Sequence, residues 1–241
     1  MRRDTFLIVD TETTMSGKVA DFGAVVCDRK GEILTQCAVL VDGVYTDREG
    51  EPLFHAAGAG EIWNKARLGE RYGSYDAMLE SGARMLARPA SINRWLDKAI
   101  TTYKPYLTAY NLAFDLDKCV KTGIDLTGVG TDKFCLWHAA AQRWGHTKKF
   151  RQFVLENHAF NAPTNHGNAS YKTNAEVMAR FVLNQPDLQD EPHTAYEDVV
   201  YYELPILVAL VKGYSKKKFL SPRAYNWREY QLKDAFTARG K

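Results

Sequence analysis

Phe6-Leu7-Ile8-Val9 is an apolar run without polar alternation, and it ends at Asp10. Such a run of β-forming residues predicts a strand buried on both faces, with Asp10 at its C-terminal end. Ala24-Val25-Val26-Cys27, the turn-forming Asp28-Arg29-Lys30-Gly31 and the stretch from Ile33 to Val41 predict two antiparallel strands joined by a short hairpin loop. From 44 to 73 the periodicity fades, punctuated by Gly50, Pro52, Gly58, Gly60 and Gly69, which predicts a long excursion carrying at most a short helix near 62–67. Helical spacing returns over 74–86. Pro89 then suits the first turn of a second helix with Ile92, Trp95, Leu96 and Ile100 on one side.

Further along, 106–110 predicts a strand, and 114–122 predicts a helix stopped by Gly123. A strand over 133–137 runs into a helix over 138–144, and 150–156, 174–183 and 194–211 are further helix candidates. Three strands, then strand-helix alternation, then helices, imply an α/β class with a mixed sheet flanked by helices. The expected organisation is one domain over 1–211, with excursions at about 44–73 and 145–173, followed by a basic C-terminal extension over 212–241.

Composition narrows the class. With 45% hydrophobic and 25% charged residues, the chain has enough apolar content to build a core and is unlike a disordered polymer. No stretch approaches the eighteen or so apolar residues of a membrane helix, and the opening run is too short for a secretory signal, so a cytoplasmic protein without a membrane partner is expected. Cys27, Cys37, Cys119 and Cys135 form no CxxC pair and read as reduced thiols. Charge is uneven: residues 212–241 hold nine Lys/Arg against Glu229 and Asp234, a net +7, so the overall +3 leaves −4 on the rest. An acidic body with a basic extension suits carboxylates gathered for cations and a polyanion held from elsewhere.

The candidate chemistry begins at Asp10-Thr11-Glu12, where period-2 geometry turns both carboxylates to one face at a strand end. Asp115 lies at the start of a helix that directly follows a strand, a place where the macrodipole favours an acid regardless of function. His193 and Asp198 open the last long helix, where a histidine alone more often caps or faces solvent.

Taken together and in order, Asp10-Thr11-Glu12-Thr13-Thr14, Asn111-x-x-Phe114-Asp115 and His193-x-Ala195-x-x-Asp198 resemble the three motifs of the DEDDh family of 3'→5' exonucleases. Proofreading exonuclease subunits, ribonuclease T and oligoribonuclease belong to that family, which has a ribonuclease-H-like fold. The likeness extends through Ala20-Asp21-Phe22-Gly23-Ala24-Val25-Val26 and spans the scaffold from Phe6 to about Leu210. It does not account for 44–73, 145–173 or the extension. Tyr110 stands where many members have histidine, and Met15-Ser16 follows Thr14 where glycine is usual.

The resemblance implies a catalytic set of His193, Asp10, Glu12, Asp115 and Asp198, the four carboxylates being the ligands of two divalent cations, Mg²⁺ or Mn²⁺. Such a pair activates water and stabilises the leaving oxygen in phosphodiester hydrolysis, and carboxylate oxygens suit these hard ions. His193, with an ordinary pKa near 6.5, is then the general base. Thr11, Thr13, Thr14, Met15, Asn111 and Phe114 are the implied substrate contacts, gripping the terminal nucleotide. The expected substrate is the 3' end of single-stranded nucleic acid, DNA as the main reading with release of nucleoside 5'-monophosphates; an RNA- or oligoribonucleotide-trimming enzyme is the alternative, since carboxylates do not distinguish the sugars.

Phe54, Trp63 or Tyr110 are candidates to stack unpaired bases, while His55, His138, His146, His158 and His166 read as surface, packing or capping residues. Lys216-Lys217-Lys218, near Tyr214, Phe219, Tyr225, Trp227 and Tyr230, can track a nucleic-acid backbone or dock a protein partner such as a polymerase. A catalytically silent nucleic-acid-binding or adaptor protein is the reading from another class.

Overall fold

The structure, a computed structural model, describes residues 4–54, 65–163 and 168–232. At its centre lies a six-stranded mixed sheet in the order β4-β3-β2-β1-β5-β6. These strands are β1 (Thr5–Thr13), β2 (Val19–Asp28), β3 (Ile33–Val41), β4 (Met85–Ala87), β5 (Tyr106–Ala109) and β6 (Lys133–Cys135). The first three form antiparallel pairs, with β2 meeting both β1 and β3, whereas β5, β6 and β4 join in parallel.

Two apolar layers cover the sheet, and β1 explains why. Its alternate side chains enter opposite layers: Phe6 and Ile8 one, Leu7 and Val9 the other, all fully buried. The Leu7/Val9 layer is completed by α2 (Pro89–Tyr103), through Ile92, Leu96 and Ala99, and by α3 (Leu112–Thr122), through Leu112 and Cys119. The Phe6/Ile8 layer is completed by α4 (Leu136–Trp144), α5 (Lys148–Glu156), α6 (Ala175–Leu183) and α8 (Leu204–Gly213).

Most predicted elements have counterparts, with three differences. The helix expected over 74–86 begins earlier and stops early: α1 (Lys65–Glu80) takes in the last part of the excursion expected over 44–73 and ends before Gly82, whose φ of 77° is left-handed, and Leu86 lies on β4. Leu86 pairs with Leu40 along the edge of β3, so sheet pairing overrides its helical spacing. The short helix expected near 62–67 falls partly outside the described residues, as do Trp63 and His55.

The long C-terminal helix is not uniform. It consists of α7 (Ala195–Asp198), a π-helical turn (Val199–Glu203) and α8. Pro205 explains the widening, because it has no N–H to give to the carbonyl four residues back and its ring crowds that carbonyl.

The third difference concerns the basic extension, whose apolar residues join the core. In α9 (Lys216–Leu220) Phe219 is fully buried against Phe6 and Phe134. Tyr230 and Leu232 are buried too, and the N–H of Leu232 donates to Ala169 at 2.7 Å beside the small hairpin of β7 (Phe160–Asn161) and β8 (Ser170–Tyr171). Phe219 and Tyr230 therefore do not offer their rings to a ligand. Lys216 pairs with Asp4 at 2.7 Å. All four cysteines are free thiols. Among the described residues no helix is long and apolar enough to cross a membrane.

Candidate functional site

The carboxylates meet where the C-terminal ends of β1 and β5 face the start of α7. On β1, Asp10 and Glu12 project to the Phe6/Ile8 side, the side on which α7 lies, while Thr11 projects to the α3 side. There its hydroxyl donates to Asp115 at 2.9 Å. Asp115 is buried in the first turn of α3, which Asn111 introduces at a φ of 127°, a costly conformation for a non-glycine residue.

On the other side the approach of α7 depends on Gly23, the partner of Asp10 in the β1–β2 ladder. A Cβ on Gly23 would stand 2.3 Å from the backbone at Ala195 and Tyr196, so only glycine lets α7 settle on β2. Asp21, wholly buried, accepts the N–H of Ala195 at 2.9 Å and the Nε–H of Arg84 at 3.2 Å. Arg84, itself buried, donates onward to Glu197 at 3.1 Å. This bridge ties β2 to α7 and fixes His193 and Asp198 at either end of the first turn.

The outcome is a tight group in which ligand atoms of Glu12, His193 and Asp198 lie within 4.8 Å of one another. Asp10 and Asp115 are not members of that group but belong to the same field of negative charge. Burial, then the charge of Asp115, raises Asp10 well above the usual carboxylate range. Burial lifts Asp115 to about 7 against the pull of its bond from Thr11. It lifts Glu12 to about 7 despite Arg71, and lifts Asp198 to about 9 with help from the charges of Glu191 and Glu12. His193 shifts the other way: although exposed, it is dehydrated enough by its surroundings to fall below its ordinary value, and Arg71 adds to the effect. The imidazole is thus neutral and ready to accept a proton near pH 7.

Sequence reasoning missed two charged residues here. Glu203, in the π turn, is buried; one oxygen accepts the N–H of Tyr110 at 3.3 Å and the other has no hydrogen-bond partner among the described residues. Burial, then Asp115, pushes its pKa well up. The only signal was Pro205, two residues on, and its effect on the helix ladder is not a motif. Arg71 comes from the part of α1 that lies within the stretch expected as an excursion, where the sequence offered no periodicity to place it. It pairs with Glu12 at 2.6 Å and donates to the carbonyls of Phe54 at 2.7 Å and His193 at 2.8 Å.

A cavity of about 480 Å³ opens beside this group, lined among others by Thr11, Glu12, Thr13, Phe54, Arg71 and Phe114. Phe54 and Phe114 are both more than two-fifths exposed, and the Lys118 ammonium lies 4.8 Å over the Phe114 ring. The other expected contacts lie elsewhere. The hydroxyl of Thr14 donates to Glu51 at 2.9 Å, and Met15, with its N–H on the carbonyl of Pro52 at 2.8 Å, and Asn111 are exposed outside the cavity wall. Tyr110 directs its hydroxyl to the carbonyl of Thr173.

Of the remaining histidines, His146 stacks on Tyr230 and lies 3.2 Å from Glu229, His138 packs beside Trp137, and His158 sits at a left-handed φ of 51°. His166 falls outside the described residues.

The donor set can be tested against divalent cations. Five carboxylates gather in one place, most of them buried, and one oxygen each of Asp198 and Glu203 is buried without a hydrogen-bond partner among the described residues. Burying like charges this way costs several kcal/mol unless a cation or protons neutralise them. Hard oxygen donors with one imidazole fit Mg²⁺ or Mn²⁺. Comparison with models of known protein families, with characterised proteins and with solved structures finds no match to this chain.

Proposed function

We propose that this protein is a metal-dependent 3'→5' exonuclease of the DEDDh type, hydrolysing phosphodiester bonds at the 3' end of single-stranded nucleic acid, DNA in the first instance, and releasing nucleoside 5'-monophosphates. The observation that carries the reading is the meeting of Glu12, His193 and Asp198 within 4.8 Å, inside a field of further carboxylates that burial keeps from ionising freely. The mixed six-stranded sheet is compatible with a ribonuclease-H-like arrangement.

Two divalent cations, held by Asp10, Glu12, Asp115 and Asp198, would supply an activated water and neutralise charge on the phosphoryl and leaving oxygens. The chain's own residues do the rest. His193, at the mouth of the group and neutral near pH 7, takes the proton of the attacking water on a ring nitrogen. Thr11 orients Asp115 through its hydroxyl, and Asp21 holds the start of α7 so that His193 and Asp198 face β1. Phe54 and Phe114 flank the cavity that receives the terminal nucleotide, and Arg71 presents a guanidinium to it.

A second reading uses the same three-residue group differently: His193 joins Glu12 and Asp198 as a ligand of one cation. One assay tests the exonuclease reading itself. 5'-labelled single-stranded DNA and RNA of one sequence are incubated with Mg²⁺, Mn²⁺ or EDTA, beside an Asp10→Asn control. A metal-dependent ladder shortening from the 3' end and absent in the control supports the exonuclease, and the faster sugar names the substrate. No shortening of either polymer by folded protein overturns it and leaves a binding or adaptor role.

A further inference from the structure

A second groove, of about 370 Å³, lies where α4 begins, and the function proposed above makes no use of it. Because β1, β5 and β6 run parallel, the C-terminal ends of all three emerge on one edge of the sheet. Asp10 to Glu12 occupy the end of β1 and Asn111 follows β5. Trp137 follows β6, two strand spacings or about 10 Å from β1. Ligands of α/β sheets gather along this edge.

A chain of hydrogen bonds joins the groove to the site. The N–H of Tyr110 donates to Glu203 at 3.3 Å, and its hydroxyl donates to the carbonyl of Thr173. The buried Thr173 also accepts Trp137 Nε1–H at 2.9 Å and donates to Tyr225 at 3.2 Å.

The groove has a rigid aromatic floor. Trp137 packs on Tyr225 with ring centroids 4.4 Å apart, Tyr225 stacks on Tyr230 at 4.8 Å, and Tyr230 stacks on His146 at 4.8 Å. At the rim Trp227 is 43% exposed, carried on a short 3-10 turn that the buried Tyr230 anchors. Among the described residues Lys172 is the one charged residue in the wall and no carboxylate joins it, while Arg228 lies 5.7 Å over the Trp227 ring. Exposed indole, rigid backing, amide and hydroxyl side chains and only positive charge match an unpaired base with its phosphate. A purely apolar partner would leave these polar groups unpaired.

We infer that this groove is a second substrate subsite, which stacks a base of the single strand on Trp227, a nucleotide or two to the 5' side of the bond being cut, and holds its phosphate with Lys172. The inference rests on the exonuclease reading for its direction along the strand. Binding can nevertheless be measured without turnover, so the two can fail separately.

The test is fluorescence anisotropy in EDTA with 5'-labelled oligothymidylates of two and of eight nucleotides, at low salt, comparing wild type with Trp227→Ala and Lys172→Gln. Both side chains are exposed, and unchanged melting confirms that the variants fold. Since one stacked base is worth about 1–3 kcal/mol, Trp227→Ala weakens the eight-nucleotide ligand about 5- to 150-fold and leaves the dinucleotide unchanged. Lys172→Gln lowers the salt slope of the longer ligand by about one. Wild type that does not bind the longer ligand overturns the inference. So does unchanged affinity of Trp227→Ala for it, as expected were the groove a protein-docking surface, or an equal loss for both lengths. Failure of the wild type to shorten DNA or RNA with Mg²⁺ or Mn²⁺ would instead remove the exonuclease reading.

Discussion

Replacing Arg71 by methionine keeps much of the side-chain volume and deletes the charge that faces Glu12. In the native protein the pair is 2.6 Å long, with side chains 16% and 17% exposed. Breaking a buried pair by removing one partner costs about 3–5 kcal/mol, and the residual hydration here brings that to about 2–4. Losing the bonds to the carbonyls of Phe54 and His193 adds about 1 kcal/mol each where water cannot replace them.

Protonation limits the loss. Burial holds Glu12 at about 7 even with Arg71 present and the loss of Arg71 raises it further, so near pH 6 the variant neutralises this carboxyl at little cost, whereas at pH 8 taking up the proton costs more. A net loss of about 3 kcal/mol at pH 8 lowers Tm by roughly 6–12 °C for a chain of this size. A divalent cation neutralises the same carboxylate. Mn²⁺ should therefore raise Tm in both proteins and raise it more in Arg71→Met, recovering part of the deficit. Calorimetric melting at pH 8 with EDTA or Mn²⁺ measures this. Equal Mn²⁺ shifts in the two proteins, or a variant as stable as wild type in EDTA, would refute the reasoning.

Asp198→Asn should abolish hydrolysis yet raise the melting temperature of the metal-free protein at pH 8. Asp198 is held at about 9, above its unfolded value, so its folded-state advantage is complete at acid pH and drains away as pH rises through about 9; denaturant titrations at pH 5.5 and 8 should show wild type losing stability between them and the variant losing less. His193→Asn suits the left-handed φ of 55° without strain, so turnover at neutral pH should fall about 10²- to 10⁴-fold with melting unchanged; wild-type turnover would remove the general base. Gly23→Ala should push α7 off β2, lowering both Tm and cation affinity, which titration calorimetry with Mn²⁺ reads; intact affinity would mean that the close approach does not place Asp198.

The sequence made the scaffold legible wherever one local rule decided the outcome. The apolar run before Asp10 marked β1, the Asp28 to Gly31 turn set the β2–β3 hairpin, and Gly123, at a φ of 77°, ended α3 as its position foretold. Leu86 shows the limit: its helical spacing with α1 was outweighed by pairing to β3, a contact across more than forty residues. The site divides in the same way. Asp10, Glu12, Asp115, His193 and Asp198 could be named because the three short motifs that carry them, each weak alone, together and in order resemble those of a known family. Arg71 and Glu203 could not, since one depends on where α1 lies over the sheet and the other on a π turn induced by Pro205. The bond of Thr14 to Glu51 was not legible, because the course of the chain around Leu53 is what brings that acid beneath it.

The central claim is that these carboxylates are a divalent-cation centre for cutting a nucleic-acid end. Its most direct test is a crystal of this protein soaked with Mn²⁺ and a nucleoside 5'-monophosphate, with anomalous scattering collected for manganese. The account predicts two manganese peaks among Asp10, Glu12, Asp115 and Asp198, with the phosphate of the nucleotide beside them and its base between Phe54 and Phe114. Manganese bound only elsewhere, or an empty carboxylate group with Arg71 still on Glu12, would contradict it.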